Sequence, residues 1–432
     1  MRKIISFLII GTGMLASSCH KKNNDPSSSL VISSFTPVSA AKDEIVTITG
    51  TGFSPTEAGN SVSFNGKTAV VISAGPNQLT VKVPAGVQDG KITIHADSRS
   101  ASSVNDFTYI WTVTTFAGDG QANFREGTGT GAEFNLPYGV TTDAAGNVYV
   151  ADNGNNRIRK ITPEGVTSTL AGNGMASYKD TIASEARFRD PLGVVADPDG
   201  NVFVSDVNNK RIRKISRDGI VSTVAGDGTT AFKDATGIAA EFYTPIGIAR
   251  DLSGNLYIAD ANNRRIRKIA PDGAVTTLAG DGNVNFKDGI GAAAEFKFPT
   301  GVAADAAGNV YVADAYDNRI RKISPAGVVS TLAGDGHSGF TDAAGALAEF
   351  NTPGGVAVDA SGNVYVADTY NQAIRRISPA GLVRTLAGGG TIGFKDGKAG
   401  VAEFNEPIGV AVDASGNIYV TDNGDHRIRK LE

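Results

Sequence analysis

The chain has 432 residues, and its 40 Lys and Arg against 44 Asp and Glu give a formal net charge of −4 at pH 7. A general polyanion binder would need an excess of basic side chains, so we expect no nucleic-acid partner. The single Cys excludes an intramolecular disulfide and a thiolate metal cluster, and four His leave little room for a His-rich metal centre. We therefore expect neither a metal site nor a cofactor.

The N-terminal residues 1–18 have the features of an export signal. Arg2 and Lys3 precede an apolar stretch over residues 4–15, and the small residues 16–18 follow it. The apolar stretch is too short to cross a membrane, which takes about 20 residues. We predict that residues 1–18 form a signal peptide.

Cys19 directly follows these small residues. This arrangement resembles the bacterial lipobox, in which the cysteine becomes the lipidated first residue of the mature protein. The sequence departs from that family at Ala16, where Leu is usual, so cleavage by ordinary signal peptidase and secretion remains the alternative. Residues 19–29 are polar and predict a flexible tether. We expect a cell-envelope lipoprotein of the outer membrane, attached through a lipid anchor at Cys19.

Residues 30–109 alternate short strands with turn signals, which favours a small β-sandwich. The predicted strands are Glu44–Thr49, Ser61–Phe64, Leu79–Val83 and Lys91–Ile94. The strings GTGF at residues 50–53 and SVSFNGKTA at residues 61–69 resemble the IPT/TIG branch of the immunoglobulin-like domains. That resemblance implies a spacer or a partner-binding module.

The remaining chain repeats with a constant period of 54 residues and contains no insertion or deletion. Each unit has four predicted strands, which in the fourth copy are Gly301–Asp305, Asn309–Ala313, Arg319–Ile323 and Val328–Leu332. The second strand is apolar on both faces and must therefore be covered on both faces. Four-stranded sheets packed side by side around an axis form a β-propeller, so we predict six blades within residues 110–432.

The two ends of the repeat array are complementary. The last copy stops after its third strand at Leu431, whereas the first copy opens with a fourth strand at residues 113–118. Pairing of these two strands would close the ring and remove an exposed edge. The fold class predicted is all-β, with an Ig-like sandwich followed by a six-bladed propeller that an N-terminal strand closes.

The repeat consensus P-x-G-V-A-x-D-x-x-G-N-V-Y-V-A-D-x-x-N-x-R-I-R-K-I resembles the NHL repeat family in all six copies. The fifth copy departs at Ala373, where the others have Arg. We interpret this change as the loss of one structural ion pair or cap. Some NHL proteins bind RNA inside cells, a role that does not suit an exported acidic chain.

Strand order places the loops between strands two and three, and those leading to the next blade, on one face. This long-loop face is the expected binding face, because binding residues of repeat rings usually lie on long loops. Positions that differ between copies are the candidates for ligand contact, with Tyr316 and Tyr370 foremost because aromatic rings suit glycan or peptide capture. The candidate ligand-binding residues are Asn208, Asn262, Tyr316, Asp317, His337, Tyr370, Asn371 and His426.

These features favour a non-enzymatic binding or scaffold protein that presents its long-loop face to an extracellular or periplasmic glycan or protein. The alternative is a propeller enzyme, a lyase or hydrolase acting on an extracellular substrate. Six-bladed NHL propellers resemble amidating lyases that hold zinc with three His, but this propeller has only His337 and His426. We identify no catalytic residues.

Overall fold

The structure is a computed structural model that describes residues 29–432. The predicted signal peptide and the predicted lipidation site at Cys19 lie outside these described residues. Within the described part of the chain, no helix combines the length and the apolar character that crossing a membrane requires.

The N-terminal module, residues 30–109, is a curled sheet of seven strands that nearly closes into a sandwich. In the order of their pairing, the strands are Val31–Thr36, Ile45–Thr51, Gln78–Lys82, Lys67–Gly75, Asn60–Phe64, Ile92–Ala96 and Arg99–Ser102. A short parallel pair, Ser39–Ala40 with Thr108–Tyr109, adds a second small sheet. Asn65 and Gly66 both have positive φ, which is why the Asn-Gly turn joins its two strands so tightly.

The rest of the chain forms six antiparallel blades, which we number 1–6 from the first complete repeat. The first strands line the axis and are Pro137–Thr142, Pro191–Ala196, Pro245–Arg250, Pro299–Ala304, Pro353–Val358 and Pro407–Val412. The second strands are Val148–Asp152, Val202–Asp206, Leu256–Asp260, Val310–Asp314, Val364–Asp368 and Ile418–Asp422. The third strands are Arg157–Ile161, Arg211–Ile215, Arg265–Ile269, Arg319–Ile323, Ala373–Ile377 and Arg427–Leu431.

The fourth strands of blades 1–5 are Val166–Ala171, Ile220–Ala225, Val275–Ala279, Val328–Ala333 and Val383–Gly388. Short outer strands pair with the fourth strands of four blades and are Gly127–Thr128, Thr181–Ile182, Gly289–Ile290 and Gly397–Lys398. Between residues 29 and 432, helical structure is confined to single 3₁₀ turns at loop positions. The second strands are buried on both faces in most blades, which confirms the reading of their sequence.

Blade 6 confirms the prediction of ring closure. Its fourth strand is Thr112–Ala117, which pairs antiparallel with Arg427–Leu431. Val113 and Ala117 are fully buried in this strand, and the Phe116 ring packs edge-on against Tyr419 at 5.2 Å. The first strand of the propeller thus completes the last blade.

Six glycines set the width of the central channel. One glycine from each first strand faces the backbone of the next blade, so closely that a Cβ atom on Gly139 would lie 2.2 Å from the Leu192 carbonyl oxygen. Gly193, Gly247, Gly301, Gly355 and Gly409 have the same kind of contact with their neighbours, at 2.3–2.7 Å. Only glycine permits this approach. The channel at this level encloses a cavity of about 70 Å³.

A buried arginine holds each long loop to its blade. Arg213 donates to Asp206 at 2.6 Å, to the Arg187 carbonyl at 3.1 Å, and to Asp180 of the preceding long loop at 2.5 Å. Its guanidinium also lies 5.1 Å from the centre of the Phe188 ring. Six such arginines have no exposed surface: Arg159, Arg213, Arg267, Arg321, Arg375 and Arg429. The blade aspartates and arginines therefore form structural pairs, as the sequence indicates.

The interpretation of Ala373 needs a partial correction. In the other blades the equivalent arginine stacks on a half-exposed aromatic ring, as Arg211 does on Tyr178 at 4.0 Å, and donates to loop carbonyls. It does not pair with the blade aspartate, because that role falls to the second arginine of the strand. Ala373 therefore lacks the closer of the two cation–π contacts and the bonds to loop carbonyls. Arg375 still lies 4.7 Å from the centre of the Phe340 ring, and the buried Arg375–Asp368 ion pair is intact at 2.6 Å.

The N-terminal module packs against blades 5 and 6. Lys67 donates to the Ser415 carbonyl, Gln88 Nε2 lies 3.3 Å from the Tyr365 hydroxyl, and Lys42 pairs with Glu432 at 3.0 Å. One apolar core continues from the sandwich through Trp111 into these blades. The contacts to the blade 5 and 6 turns involve the loops between strands one and two, which lie on the face opposite the long loops.

Candidate functional site

The long-loop face is open around the mouth of the channel. The N-terminal module lies against the short-loop ends of blades 5 and 6, where it leaves a cleft of about 520 Å³ beside Lys67 and Asp413. Within the described residues, none of the hydrogen bonds or ion pairs given for the module involves the turns that follow the second strands. Those turns and the channel mouth therefore form the surface available to a ligand.

Two tyrosines stand out on this face. Tyr316 of blade 4 is 63% exposed, and Tyr370 at the equivalent place in blade 5 is 56% exposed. The Tyr316 ring lies flat on Phe298, with centroids 4.5 Å apart and planes inclined by 13°. The stacked pair presents a rigid aromatic platform, which provides contact area at small entropic cost.

The channel mouth itself is lined by the residue between the proline and the glycine of each first strand. These residues are Tyr138, Leu192, Ile246, Thr300, Gly354 and Ile408. Burial raises the pKa of Tyr138 to about 12, and the Tyr316 hydroxyl of the opposite blade adds to that shift. Tyr138 therefore stays protonated near neutral pH and faces the aromatic platform across the mouth.

Sequence reasoning missed this ring of mouth residues. The signal was present, because the position between Pro and Gly differs in most copies while its neighbours are constant.

The other turn candidates have structural partners. Asp317 is fully buried and pairs with Lys297 and Arg319, each at 2.6 Å. Asn371 is 9% exposed and donates to Asp368 at 2.9 Å. Both side chains are therefore held by bonds within the protein, which stabilise the turn.

Asn262 and Asn208 also bond within the turn region. Asn262 is half-buried and donates to the Thr244 hydroxyl at 2.6 Å, whereas Asn208 is exposed and donates to Asp190. The Asn208 side-chain oxygen accepts from the Lys210 ammonium group at 3.4 Å. Asn208 is the more accessible of the two.

The two histidines occupy different environments. The His337 side chain is 84% exposed and its Nδ1 lies 3.0 Å from Asp335. His426 is half-buried, and its Nδ1 accepts the Leu136 amide at 3.1 Å across the seam between blades 6 and 1. Burial lowers the pKa of His426, with the Arg427 charge acting in the same direction and Asp425 opposing. His426 is therefore neutral near pH 7.

His426 belongs to a set that we name the seam residues, which end the turn after each second strand in left-handed conformation. They are Asn156, Lys210, Arg264, Asn318, Gln372 and His426, with φ between 51° and 55°. Four of them accept a backbone amide of the next blade: Asn156 from Asp190, Asn318 from Thr352, Gln372 from Glu406 and His426 from Leu136. Lys210 and Arg264 have no acceptor atom for this bond. The following loops differ accordingly, because Thr244 and Phe298 donate instead to Asp260 and Asp314.

In the described residues, no group of three or more His, Cys, Asp and Glu side chains is arranged to hold a metal ion.

Comparison with known families assigns both parts of the chain. Residues 30–109 match the IPT/TIG domain. Residues 134–161, 188–215, 296–323, 350–377 and 404–431 match the NHL repeat. The copy over residues 242–269 is not among these matches, yet it forms the same strands as its neighbours.

A human relative matches about two thirds of the chain. Human NHL repeat-containing protein 2 is 30% identical over 337 residues, which cover 69% of this chain and 46% of that protein. The chain thus spans less than half the length of this relative.

Two solved structures share the overall fold. A protein of unknown function from Bacteroides thetaiotaomicron has a TM-score of 0.66 at 20% identity, covering 94% of this chain and 99% of the other. An auxiliary nutrient binding protein from the same organism has a TM-score of 0.58 at 18% identity, covering 94% and 98%.

Proposed function

The chain is an NHL-repeat protein with an IPT/TIG domain, and on that premise we propose that it is a lipid-anchored cell-envelope protein that binds an extracellular glycan or protein. Its long-loop face is the binding face. The observation that carries the proposal is the exposed stack of Tyr316 on Phe298 beside an open channel mouth. The auxiliary nutrient binding protein of the same fold supports a role in binding.

The tyrosines provide the first test. Both lie on neighbouring blades at positions where other copies have Gly or Asn, so the fold does not need an aromatic ring there. We expect Tyr316→Ala with Tyr370→Ala to weaken binding about tenfold or more, since one aromatic contact contributes about 0.5–1.5 kcal/mol beyond its buried area. The measurement is a glycan and protein binding screen on residues 30–432, followed by titration of each ligand found.

A matched double substitution on the opposite face, Ala307→Ser with Ala326→Ser, serves as the control and should leave affinity unchanged. If the tyrosine variant binds as tightly as the parent, the long-loop face is not the binding surface. An enzyme would convert the ligand it captures. Mass spectrometry of the recovered ligand after incubation distinguishes that alternative from binding alone.

The membrane anchor is tested separately. We expect Cys19→Ser to move the protein from the membrane fraction to the soluble fraction, because one side chain at the predicted cleavage point would carry the whole attachment. Fractionation and mass spectrometry of the mature N-terminus measure this. Membrane partitioning that persists in Cys19→Ser after signal removal contradicts lipid anchoring.

A further inference from the structure

Four cations lie on one half of the open face, in blades 2–4. Arg189 and Lys297 occupy the second position before the proline of the first strand, and Lys210 and Arg264 are seam residues. The same two positions in blades 1, 5 and 6 hold Asn135, Asn156, Asn351, Gln372, Asn405 and the neutral His426. We name Arg189, Lys210, Arg264 and Lys297 the cationic sector. It contrasts with the net negative charge of the chain.

Two of these cations replace a hydrogen-bond acceptor that the fold uses elsewhere. Lys210 and Arg264 occupy the position whose side chain, in four other blades, accepts a backbone amide of the next blade. The seams that follow blades 2 and 3 therefore lack that bond. Packing alone therefore does not explain a cation at these positions.

The charges of the sector are incompletely balanced. Asp317 is shared between Lys297 and Arg319, so one carboxylate serves two cations. The Arg264 guanidinium donates to the Asn262 and Gly282 carbonyls, at 3.3 and 3.4 Å, and forms no ion pair among the described residues.

Lys210 likewise forms no ion pair among the described residues, and its ammonium group donates to the Asn208 side-chain oxygen at 3.4 Å. Burial lowers its pKa and the nearby Arg189 adds to that shift, against the opposing charges of Asp260 and Asp190. Asp190 already accepts the Asn208 amide. Arg189 is exposed, so an anion placed beside these two cations would relieve their repulsion and bond both.

The sector adjoins aromatic side chains. Lys297 directly precedes Phe298, which carries the Tyr316 ring, and Tyr243 of blade 3 is 41% exposed. Flat aromatic surface next to cations suits a ligand that alternates apolar ring faces with anionic groups. An acidic sugar chain has that chemistry, whereas an acidic peptide offers the charge without the repeated ring faces.

We propose that the cationic sector of blades 2–4 recognises an acidic glycan, with its carboxylate or sulfate groups on Arg189, Lys210 and Arg264 and its sugar rings on the Phe298–Tyr316 platform. This inference rests on the proposed binding function and deepens it by assigning the ligand class.

The test uses residues 30–432 and four probes: an oligogalacturonate, a sulfated galactan oligosaccharide, a neutral galactan oligosaccharide of the same length, and poly-glutamate. The variant is Arg189→Asn with Lys210→Asn, which gives blade 2 the two residues that blade 1 has in Asn135 and Asn156. Because the fold already uses them, the melting temperature should not fall. The control is Lys233→Gln with Lys287→Gln, which removes two exposed cations from the outer loops of blades 2–4.

We expect at least one acidic glycan to bind, with affinity that decreases as salt rises and falls about tenfold or more in the blade 2 variant. The outer-loop control should bind as the parent does. The carboxylate and sulfate probes identify which anion is preferred.

Three results would overturn the inference. If the control variant loses as much affinity as the blade 2 variant, the acidic glycans are bound by general charge attraction. If poly-glutamate binds as tightly as the acidic glycans, the ligand is an acidic peptide. If the neutral glycan binds as tightly as both acidic glycans, charge does not determine recognition and the inference is wrong. The proposed binding function would still stand in that case. The proposed function itself fails only if the tyrosine variant also binds every identified ligand as the parent does.

Discussion

Two arginines on one strand have different energetic roles, although they lie two residues apart. Arg213 is fully buried against Asp206, whereas Arg211 is half-buried and stacks on Tyr178. Removing one partner of a buried pair leaves the other charge without compensation, which costs about 3–5 kcal/mol. Losing a cation–π contact near the surface costs about 0.5–1 kcal/mol.

We therefore expect Arg213→Leu to destabilise the propeller several times more than Arg211→Leu. Thermal or denaturant unfolding of both variants measures the difference. Arg211→Leu is the matched control, because it removes the same side chain from the same strand. Equal losses of unfolding free energy would mean that the buried Arg–Asp pairs do not stabilise the long loops.

At the scale of the element, the seams between blades depend on single side chains. His426 accepts the Leu136 amide through Nδ1, and protonation of that nitrogen would break the bond. Because its folded pKa is lowered, the unfolded chain binds the proton more readily. Stability contributed at this seam is thus present above the unfolded pKa of about 6.5 and is lost as the pH falls through the folded pKa.

We expect His426→Asn to keep the melting temperature at pH 7 and to reduce the loss of stability between neutral and mildly acidic pH. Asparagine occupies the same left-handed position in blades 1 and 4 and supplies an acceptor that does not titrate. Melting curves across this pH range measure the effect. If the melting temperatures of parent and variant depend on pH in the same way, protonation of His426 does not affect the stability of this seam.

The blades were predictable from the sequence because their signals are local and repeated six times. Strand positions and the Arg–Asp pairs follow from the pattern within one 54-residue unit, and ring closure follows from the complementary ends of the array. The site was less predictable. Tyr316 and Tyr370 were identified as exposed variable residues, whereas the burial of Asp317 depends on Lys297, which lies in a different loop. The seam bonds likewise join neighbouring repeats, so a single repeat does not reveal them.

At the scale of the whole molecule, closure of the propeller ring depends on one short strand. A chain that begins at residue 119 lacks Thr112–Ala117 and leaves Arg427–Leu431 as an open edge. We expect it to lose several kcal/mol of a folding free energy of about 5–15 kcal/mol. A chain that begins at residue 110 keeps the strand and loses only the interface with the N-terminal module. It should melt at a higher temperature than the shorter chain.

Calorimetry of the two truncated chains measures this order, and hydrogen exchange at residues 427–431 locates the loss. Equal melting temperatures would mean that the closing strand contributes little to the ring.

The direction of the closing strand also has a mechanical consequence. Thr112–Ala117 runs from the face that carries the N-terminal module toward the long-loop face, antiparallel to Arg427–Leu431. When a ligand held on the long-loop face is pulled away from the N-terminus, tension runs along this strand. The hydrogen bonds of the strand are then loaded in shear, so that all of them bear the force together and they do not break one after another. A ring closed in this way resists force applied between the N-terminus of the closing strand and the long-loop face.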